Sequence, residues 1–406
     1  MIEDIATLDD FAFAGKTVFV RCDLNTPIDP KNGEFLEDRR IKSHKDTLLE
    51  LVKKKARVVI LAHQGRAGDA EYTTLEKHAK RLSDVLEVKV KYVDDIFGTF
   101  ARESIKKMKD GEVILLENVR FYAEEEMERP PDVQANTFLV KKLAPLCDIF
   151  INDAFGTAHR SQPTTVGFTQ RVPCGAGRLM ESELNGLSKC IKNPKKPLVF
   201  VLGGAKVSDS LKIMEKALSN DVEKILTGGL LANIFLIAKG YRVGEPNIEV
   251  IRGKKLMEQV PIAAALLEKY EDKIVLPVDV ALNRNNERFE IPVGDLPQDY
   301  LIKDVGKNTV KNYADAIKNA GTVFYNGALG VYEEKIFAYG TEETIRALTS
   351  CRGITVIGGG DTVAAARNIG VEEKITHVST GGKASIKFVS GSKLAAIEAL
   401  RGKGKK

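Results

Sequence analysis

The chain has 406 residues, 43% hydrophobic and 29% charged, ordinary globular values that exclude wholesale disorder and predict two or three domains at about 150 residues each. The net charge of +5 sits at the C-terminus: residues 383–406 carry seven Lys/Arg against one Glu, and the rest is close to neutral, which argues against a globally basic nucleic-acid binder. The longest stretches without a charged residue, 225–238 and 319–332, are 14 residues each, short of the about 20 needed to span a membrane as a helix.

Along the chain, MIEDIATLDD is acidic and lacks the basic-then-apolar pattern of a secretion signal. Short apolar, β-branched runs then alternate with longer helical ones. Strands are predicted at 17–22, 57–62, 88–93, 113–117 and 149–152, with helices at 41–54, 74–86 and 135–143. A helix over 179–192 and the Pro-bracketed basic turn Asn193-Pro-Lys-Lys-Pro197 read as a domain junction. Further strands follow at 198–202, 224–226, 274–278, 322–325, 354–357 and 377–379, with helices at 209–218 and 261–269. Strands this apolar are buried on both faces, and strand–helix alternation implies parallel sheets. The predicted fold is α/β: two doubly wound, Rossmann-like domains facing across a cleft and joined by a helix. The tail RGKGKK reads as frayed and solvated. The odd, widely spaced cysteines (Cys22, Cys147, Cys174, Cys190 and Cys351) read as free thiols in a reducing, cytoplasmic setting.

Ligands of open α/β sheets bind beyond the carboxyl ends of strands. In the first half those positions hold Asp23-Leu24-Asn25, His63-Gln64-Gly65-Arg66, Glu117-Asn-Val-Arg120 and a segment from Asp153 to His159-Arg160. In the second they hold Gly203-Gly-Ala205-Lys206, Thr227-Gly-Gly229, Asp279, Asn326-Gly327, Gly358-Gly359-Gly360-Asp361-Thr362 and Thr380-Gly-Gly382-Lys383. Converging Arg and His suit a small, doubly anionic molecule. Gly-rich turns entering helices suit nucleotide phosphates, and Asp361 beside one of them suits Mg²⁺. By contrast, Glu124-Glu-Glu126 reads as a solvated charge run, His44, His78 and His377 as structural, and Cys22 and Cys147 as core residues. No P-loop, G-x-G-x-x-G fingerprint, protein-kinase signature, G-x-S-x-G elbow or zinc spacing occurs.

The motifs VFVRCDLNTP, RRI at 39–41, LAHQGR, LLENVRFYAEEE and INDAFGTAHR, with VLGGAKVSDS, FYNGALGVYE, VIGGGDT and HVSTGGKAS, resemble phosphoglycerate kinases over nearly the whole chain. HRSQPTTVGF and NGALGVYE resemble the archaeal branch. The resemblance implies reversible phosphoryl transfer between 1,3-bisphosphoglycerate and ADP, giving 3-phosphoglycerate and ATP with Mg²⁺, in glycolysis or gluconeogenesis, by a monomer or homodimer. It implies that residues 1–178 bind 3-phosphoglycerate through Asp23, Leu24, Asn25, Arg40, His63, Gln64, Gly65, Arg66, Arg120, His159 and Arg160. Residues 193–384 would bind the nucleotide through Gly203, Ala205, Lys206, Asn326, Glu333, Gly358, Gly359, Gly360, Asp361 and Thr362, with Asp361 at the metal. Residues 179–192 would form the interdomain helix, and residues 385–406 would return to the first domain. Arg40, Lys206, Gly359, Gly382 and Lys383 would surround the transferred group. Two departures stand out. Ser210 replaces a family lysine, and Lys383 replaces a family glycine, so Lys383 is a candidate to restore the missing charge. An acyl-phosphate kinase for another small phosphorylated acid and a non-enzymatic nucleotide-binding protein are the alternative readings.

Overall fold

The structure, a computed structural model, describes residues 4–219 and 222–402. Residues divide into two units, one comprising Met1–Asn185 with Lys393–Lys406 and the other Gly186–Ser392.

The first unit is built on β1 (Thr17–Arg21), β2 (Arg57–Leu61), β3 (Val90–Val93), β4 (Val113–Leu116), β5 (Ile149–Asn152) and β6 (Cys174–Ala176), ordered β3-β4-β2-β1-β5-β6. Every pairing is parallel. β1 is buried at all five positions and β4 at all four, because a parallel sheet carries helices on both faces. Val18, Val20, Val58, Ile60 and Leu115 pack with Leu48, Leu51, Leu82 and Val85 of the helices Lys45–Lys53 and Glu76–Leu86. Strand order reverses between β1 and β5, which opens a crevice at their carboxyl ends.

The second unit holds β7 (Leu198–Leu202), β8 (Lys224–Thr227), β9 (Ile274–Val275), β10 (Asp279–Arg284), β11 (Glu287–Pro292), β12 (Leu301–Val305), β13 (Thr322–Asn326), β14 (Ile354–Gly358) and β15 (His377–Val378). Six of them form a parallel sheet ordered β15-β14-β13-β7-β8-β9, whose order reverses between β7 and β13. The rest form a three-stranded antiparallel sheet, β11-β10-β12. The sequence pattern missed that sheet, and the strand expected over 274–278 stops at Val275. The missed hairpin turns at Asn285 and Asn286, both with positive φ, the two-residue geometry that asparagine tolerates.

Two expected helices are altered. The 41–54 helix breaks at His44 into Arg39–Ser43 and Lys45–Lys53, where the buried imidazole Nδ1 lies 2.7 Å from Asp153 Oδ2 and Nε2 accepts the Asp23 N–H at 3.0 Å. The 135–143 helix starts only at Phe138, after extended Thr137, and runs to Leu143, while a separate turn of helix, Pro131–Gln134, precedes it. The chain's return is anchored in the first unit: Ala396 N–H donates to Ala158 O at 2.9 Å. Arg401 bridges Ile5, and Gly402 N–H donates to Asp4 O. Fraying therefore does not begin at Arg401, and the remaining four residues of the tail lie outside the described residues.

The helix Arg178–Ser188 crosses the division of the chain and is fixed at its start by the first unit. Asp153 Oδ1 accepts the N–H groups of Leu179 and Met180 at 3.0 and 3.3 Å, and Thr47 accepts that of Arg178 at 2.8 Å. Arg178 pairs with Asp9, Glu50 and Glu181 at 2.6–2.9 Å. Asp153 thus caps a helix and holds His44 at once. Asp153→Ala strands these buried donors and is expected to cost about 3 kcal/mol or more. Urea denaturation followed by circular dichroism measures it; a loss under about 1 kcal/mol, the range of an ordinary substitution, would sink this account.

Candidate anion and phosphate sites

In the first unit, Asp23, Arg40, His63 and Arg120 gather at the carboxyl ends of β1, β2 and β4. Buried Asp23 pairs with half-buried Arg40 at 2.7 Å. Burial alone would raise its carboxyl pKa, but guanidinium charge, that of Arg40 above all, outweighs it and holds the group well below the usual range. Asn25 Oδ1 accepts the Gly65 N–H at 2.8 Å. Gly65 has φ +64°, and a Cβ there would lie 2.6 Å from Tyr72 N, so this loop requires glycine.

Arg120 is buried, donates to Gly65 O and pairs with Glu126 at 2.9 Å. Its Nη2 has no hydrogen-bond partner among the described residues. Burial, with repulsion from Arg160, pushes its pKa down to about 10. Half-buried Arg160 is lowered by burial and by Arg66, which is itself exposed. These guanidiniums repel one another, so an anion among them relieves both repulsion and desolvation.

The side chains of two expected ligand residues are taken up by the fold. Gln64 is fully buried: Oε1 accepts the Thr26 N–H at 2.9 Å and lies 3.1 Å from His78 Nε2, while Nε2 donates to Thr26 O. Leu24 is a core residue. His159 is half-buried beside the short turn Phe155–Thr157. Arg21 was not singled out, being the last residue of an apolar strand, yet it is buried and its Nη2 lies 3.0 Å from His63 Nδ1. Glu125 corrects the solvated-run expectation: it is fully buried and accepts from Thr164. Burial, followed by the Arg21 charge, lowers the tendency of His63 to protonate far below the ordinary histidine value.

In the second unit, backbone does most of the work. Gly203 N–H donates to Asn326 O at 3.1 Å, and Gly204 N–H to Ala328 O at 2.7 Å. A Cβ on Gly203 would sit 2.2 Å from Ala328 O, and one on Gly327 would sit 2.3 Å from Gly203 O. The two loops at the sheet's switch point therefore close on each other only as glycines. They line a polar pocket of about 230 Å³, where Lys206, Ser210, Asn326, Gly359, Gly360, Asp361, Gly382 and Lys383 meet. The helices Val207–Ser219, Gly360–Asn368 and Lys383–Val389 begin at or beside this lining, presenting free N–H groups and dipole ends that suit phosphate. Lys206 and Lys383 are exposed and make no ion pair among the described residues. Asn326 Oδ1 is buried without a partner among them.

A second, mainly apolar pocket of about 320 Å³ shares Gly204, Ala205 and Asp361 with the first and is lined by Leu230, Val280, Ala328, Leu329, Tyr332 and Glu333 among others. Gly203 and Asn326 thus lie on the polar side, exposed Glu333 on the apolar side, and Asp361 on both. Buried Thr362 accepts the Gly327 N–H at 2.7 Å and braces the loops, and Gly358 ends β14. No group of three His, Cys, Asp or Glu among the described residues could hold a metal ion by itself. Asp361 as a lone carboxylate suits a hard cation that keeps water and phosphate ligands.

Guanidiniums converging on a small site in one α/β unit, and a glycine cradle joined to an apolar pocket in the other, are the parts of a small-molecule kinase. A family model described as phosphoglycerate kinase matches residues 8–392, and the chain belongs to the phosphoglycerate kinase family. It is 49% identical to the phosphoglycerate kinase of Methanothermus fervidus, over 97% of this chain and 96% of that one. It is also 49% identical to that of Methanococcus maripaludis, over 97% of each. The crystal structure of phosphoglycerate kinase from Pyrococcus horikoshii OT3 superposes with a TM-score of 0.91 at 42% identity, over 97% of this chain and 98% of that one. These archaeal relatives agree with the archaeal wording of the motifs. All five cysteines are free, and among the described residues no helix is long and apolar enough to cross a membrane.

His78, which braces Gln64, offers a pH test. Burial lowers its pKa to about 4, so the unfolded chain binds a proton below about 6.5 that the folded chain refuses. Its contribution is complete above pH 6.5 and is lost as the pH falls toward 4. Stability of the native chain should fall between these limits by up to about 1.4 kcal/mol per pH unit more than that of His78→Gln. Parallel slopes in urea denaturation at stepped pH would refute it.

Proposed function

We propose that the chain transfers a phosphoryl group reversibly between 1,3-bisphosphoglycerate and ADP, giving 3-phosphoglycerate and MgATP. The observation that carries this reading is the pairing of a guanidinium-rich site in one unit with a glycine-lined pocket in the other, whose two lysines make no ion pair among the described residues. His63, Arg66, Arg120 and Arg160, with His159 nearby, hold the phosphate of the acid, and Asp23 with Asn25 its glycerate end. Arg40 lies at the reacting carboxyl group. Ala205, Leu230 and Glu333 border the nucleoside, Lys206, Gly359, Gly360 and Gly382 the phosphates, and Asp361 the Mg²⁺, which neutralises phosphate charge when bound. In the ATP-consuming direction the nucleophile is a carboxylate, ionised at neutral pH, so no general base is needed. Catalysis is positioning and charge stabilisation. Because the ligand sets belong to different units, transfer requires the two sets to meet with water excluded. The free thiols favour a cytoplasmic enzyme.

Lys383 and Ser210 line the same polar pocket, which supports Lys383 as the charge that stands in for the family lysine absent at position 210. Purified chain with 3-phosphoglycerate and MgATP, coupled to glyceraldehyde-3-phosphate dehydrogenase, should turn over at about 1–10³ s⁻¹. Arg40→Ala should abolish it, and Lys383→Ala should lower kcat by about 10²-fold, or roughly 2.7 kcal/mol. An unchanged kcat in Lys383→Ala removes Lys383 from the mechanism. No turnover with MgATP binding intact points to a different phosphorylated acid.

A further inference from the structure

Behind the anion site runs a hydrogen-bond chain whose direction is set by chemistry. Glu125 is fully buried. Its Oε2 accepts the Thr164 N–H at 3.1 Å, and its Oε1 accepts the Thr164 hydroxyl proton. With that proton committed, Thr164 Oγ1 accepts Arg21 Nε–H at 2.8 Å. Arg21 Nη1 donates to the carbonyls of Cys22 and Leu61, and Nη2 lies 3.0 Å from His63 Nδ1. A guanidinium has donors and no acceptor, so His63 Nδ1 must offer its lone pair. The ring proton then resides on Nε2, which has no hydrogen-bond partner among the described residues. Glu125 is also the leading opposing charge acting on Arg21, and Arg21 on Glu125, so each favours the charged form of the other while Thr164 links them.

We propose that Glu125 is a positioning residue for phosphoryl transfer: through Thr164 and Arg21 it fixes His63 as the Nε2–H tautomer and makes that imidazole a dedicated hydrogen-bond donor to the small phosphorylated acid. The identity of the acid rests on the function proposed above; the tautomer does not. Arg21, Asp23, Arg120 and Arg160 surround this ring. In such a setting a donor without charge adds a hydrogen bond to the anion and no further repulsion among the cations.

Histidine-selective ¹⁵N labelling of the full chain leaves five imidazoles, and ring ¹⁵N–¹H correlation spectra distinguish their tautomers. Loss of one set of signals in His63→Gln assigns His63. The native chain is expected to show Nε2–H alone at His63. Thr164→Val, which keeps the shape and removes the hydroxyl, should move the signals to an average of both tautomers. It should also raise KM for 3-phosphoglycerate by about 10-fold, with kcat nearly unchanged, the mark of lost ground-state binding. Glu125→Gln should do the same, and Thr164→Ser should restore both readouts. A proton on Nδ1 in the native chain, or a spectrum and KM unmoved in Thr164→Val and Glu125→Gln, overturns the proposal. The spectra need no turnover, so a chain that ignores 3-phosphoglycerate but shows these tautomer shifts removes the functional reading and keeps the relay.

Discussion

Repulsion among guanidiniums at the carboxyl end of one parallel sheet is the constraint around which the first unit is organised. Arg21, Arg120 and Arg160 are all pushed below their ordinary basicity by burial, and Arg66 adds to the field. Left alone, such groups would swing toward water. Each buried one is instead tethered: Arg21 to Thr164 and two carbonyls, Arg120 to Gly65 O and Glu126. The tethers occupy some donors and leave others, such as Arg120 Nη2, to be satisfied by an anion. Preorganisation of this kind means that a bound anion need not meet the cost of gathering the cations.

The second unit meets the same requirement differently. Its phosphate pocket relies on backbone N–H groups, helix starts and two exposed lysines rather than buried guanidiniums. Exposed lysines cost little to hold apart, so the unit needs no buried countercharge there. What it needs is close approach of two loops, and that is why Gly203 and Gly327 sit where any side chain would strike a carbonyl oxygen. The pocket beside it is mainly apolar, with Glu333 at its lining.

Most strands of the two parallel sheets were legible in the sequence because runs such as VFV in β1 or LVFVL in β7 are apolar on both faces and bounded by polar or glycine residues, whereas the three-residue β6, Cys-Gly-Ala, was missed because it is too short to show a pattern. The strand ends were legible for the same reason, since chemistry-bearing residues follow each apolar run directly. The β10-β11-β12 sheet was not, because its strands are half-buried and carry Asn, Arg and Glu that break the apolar pattern. The break at His44 depends on Asp153, which is 109 residues away. Gln64 reads as a ligand by position, but its side chain is taken by Thr26 and His78, and no local pattern encodes that. Glu125 is the clearest case: among three successive glutamates, only the partner Thr164, 39 residues away, marks the buried one.

The contrast between Glu125 and Asp361 shows how one residue type serves two purposes. Asp361 is exposed at the edge of both pockets, so water screens its charge and a ligand could meet it directly. Glu125 is sealed away from ligand, and burial raises its pKa while the Arg21 charge and two bonds from Thr164 oppose that shift. Its charge cannot reach a ligand through solvent, but it acts through the geometry of the groups it holds. Arg21 can only donate, so His63 beside it must accept at Nδ1, and Glu125 acts one step back, by holding Arg21 in place through Thr164. A cation-rich site therefore gains a donor of fixed direction without a further positive charge.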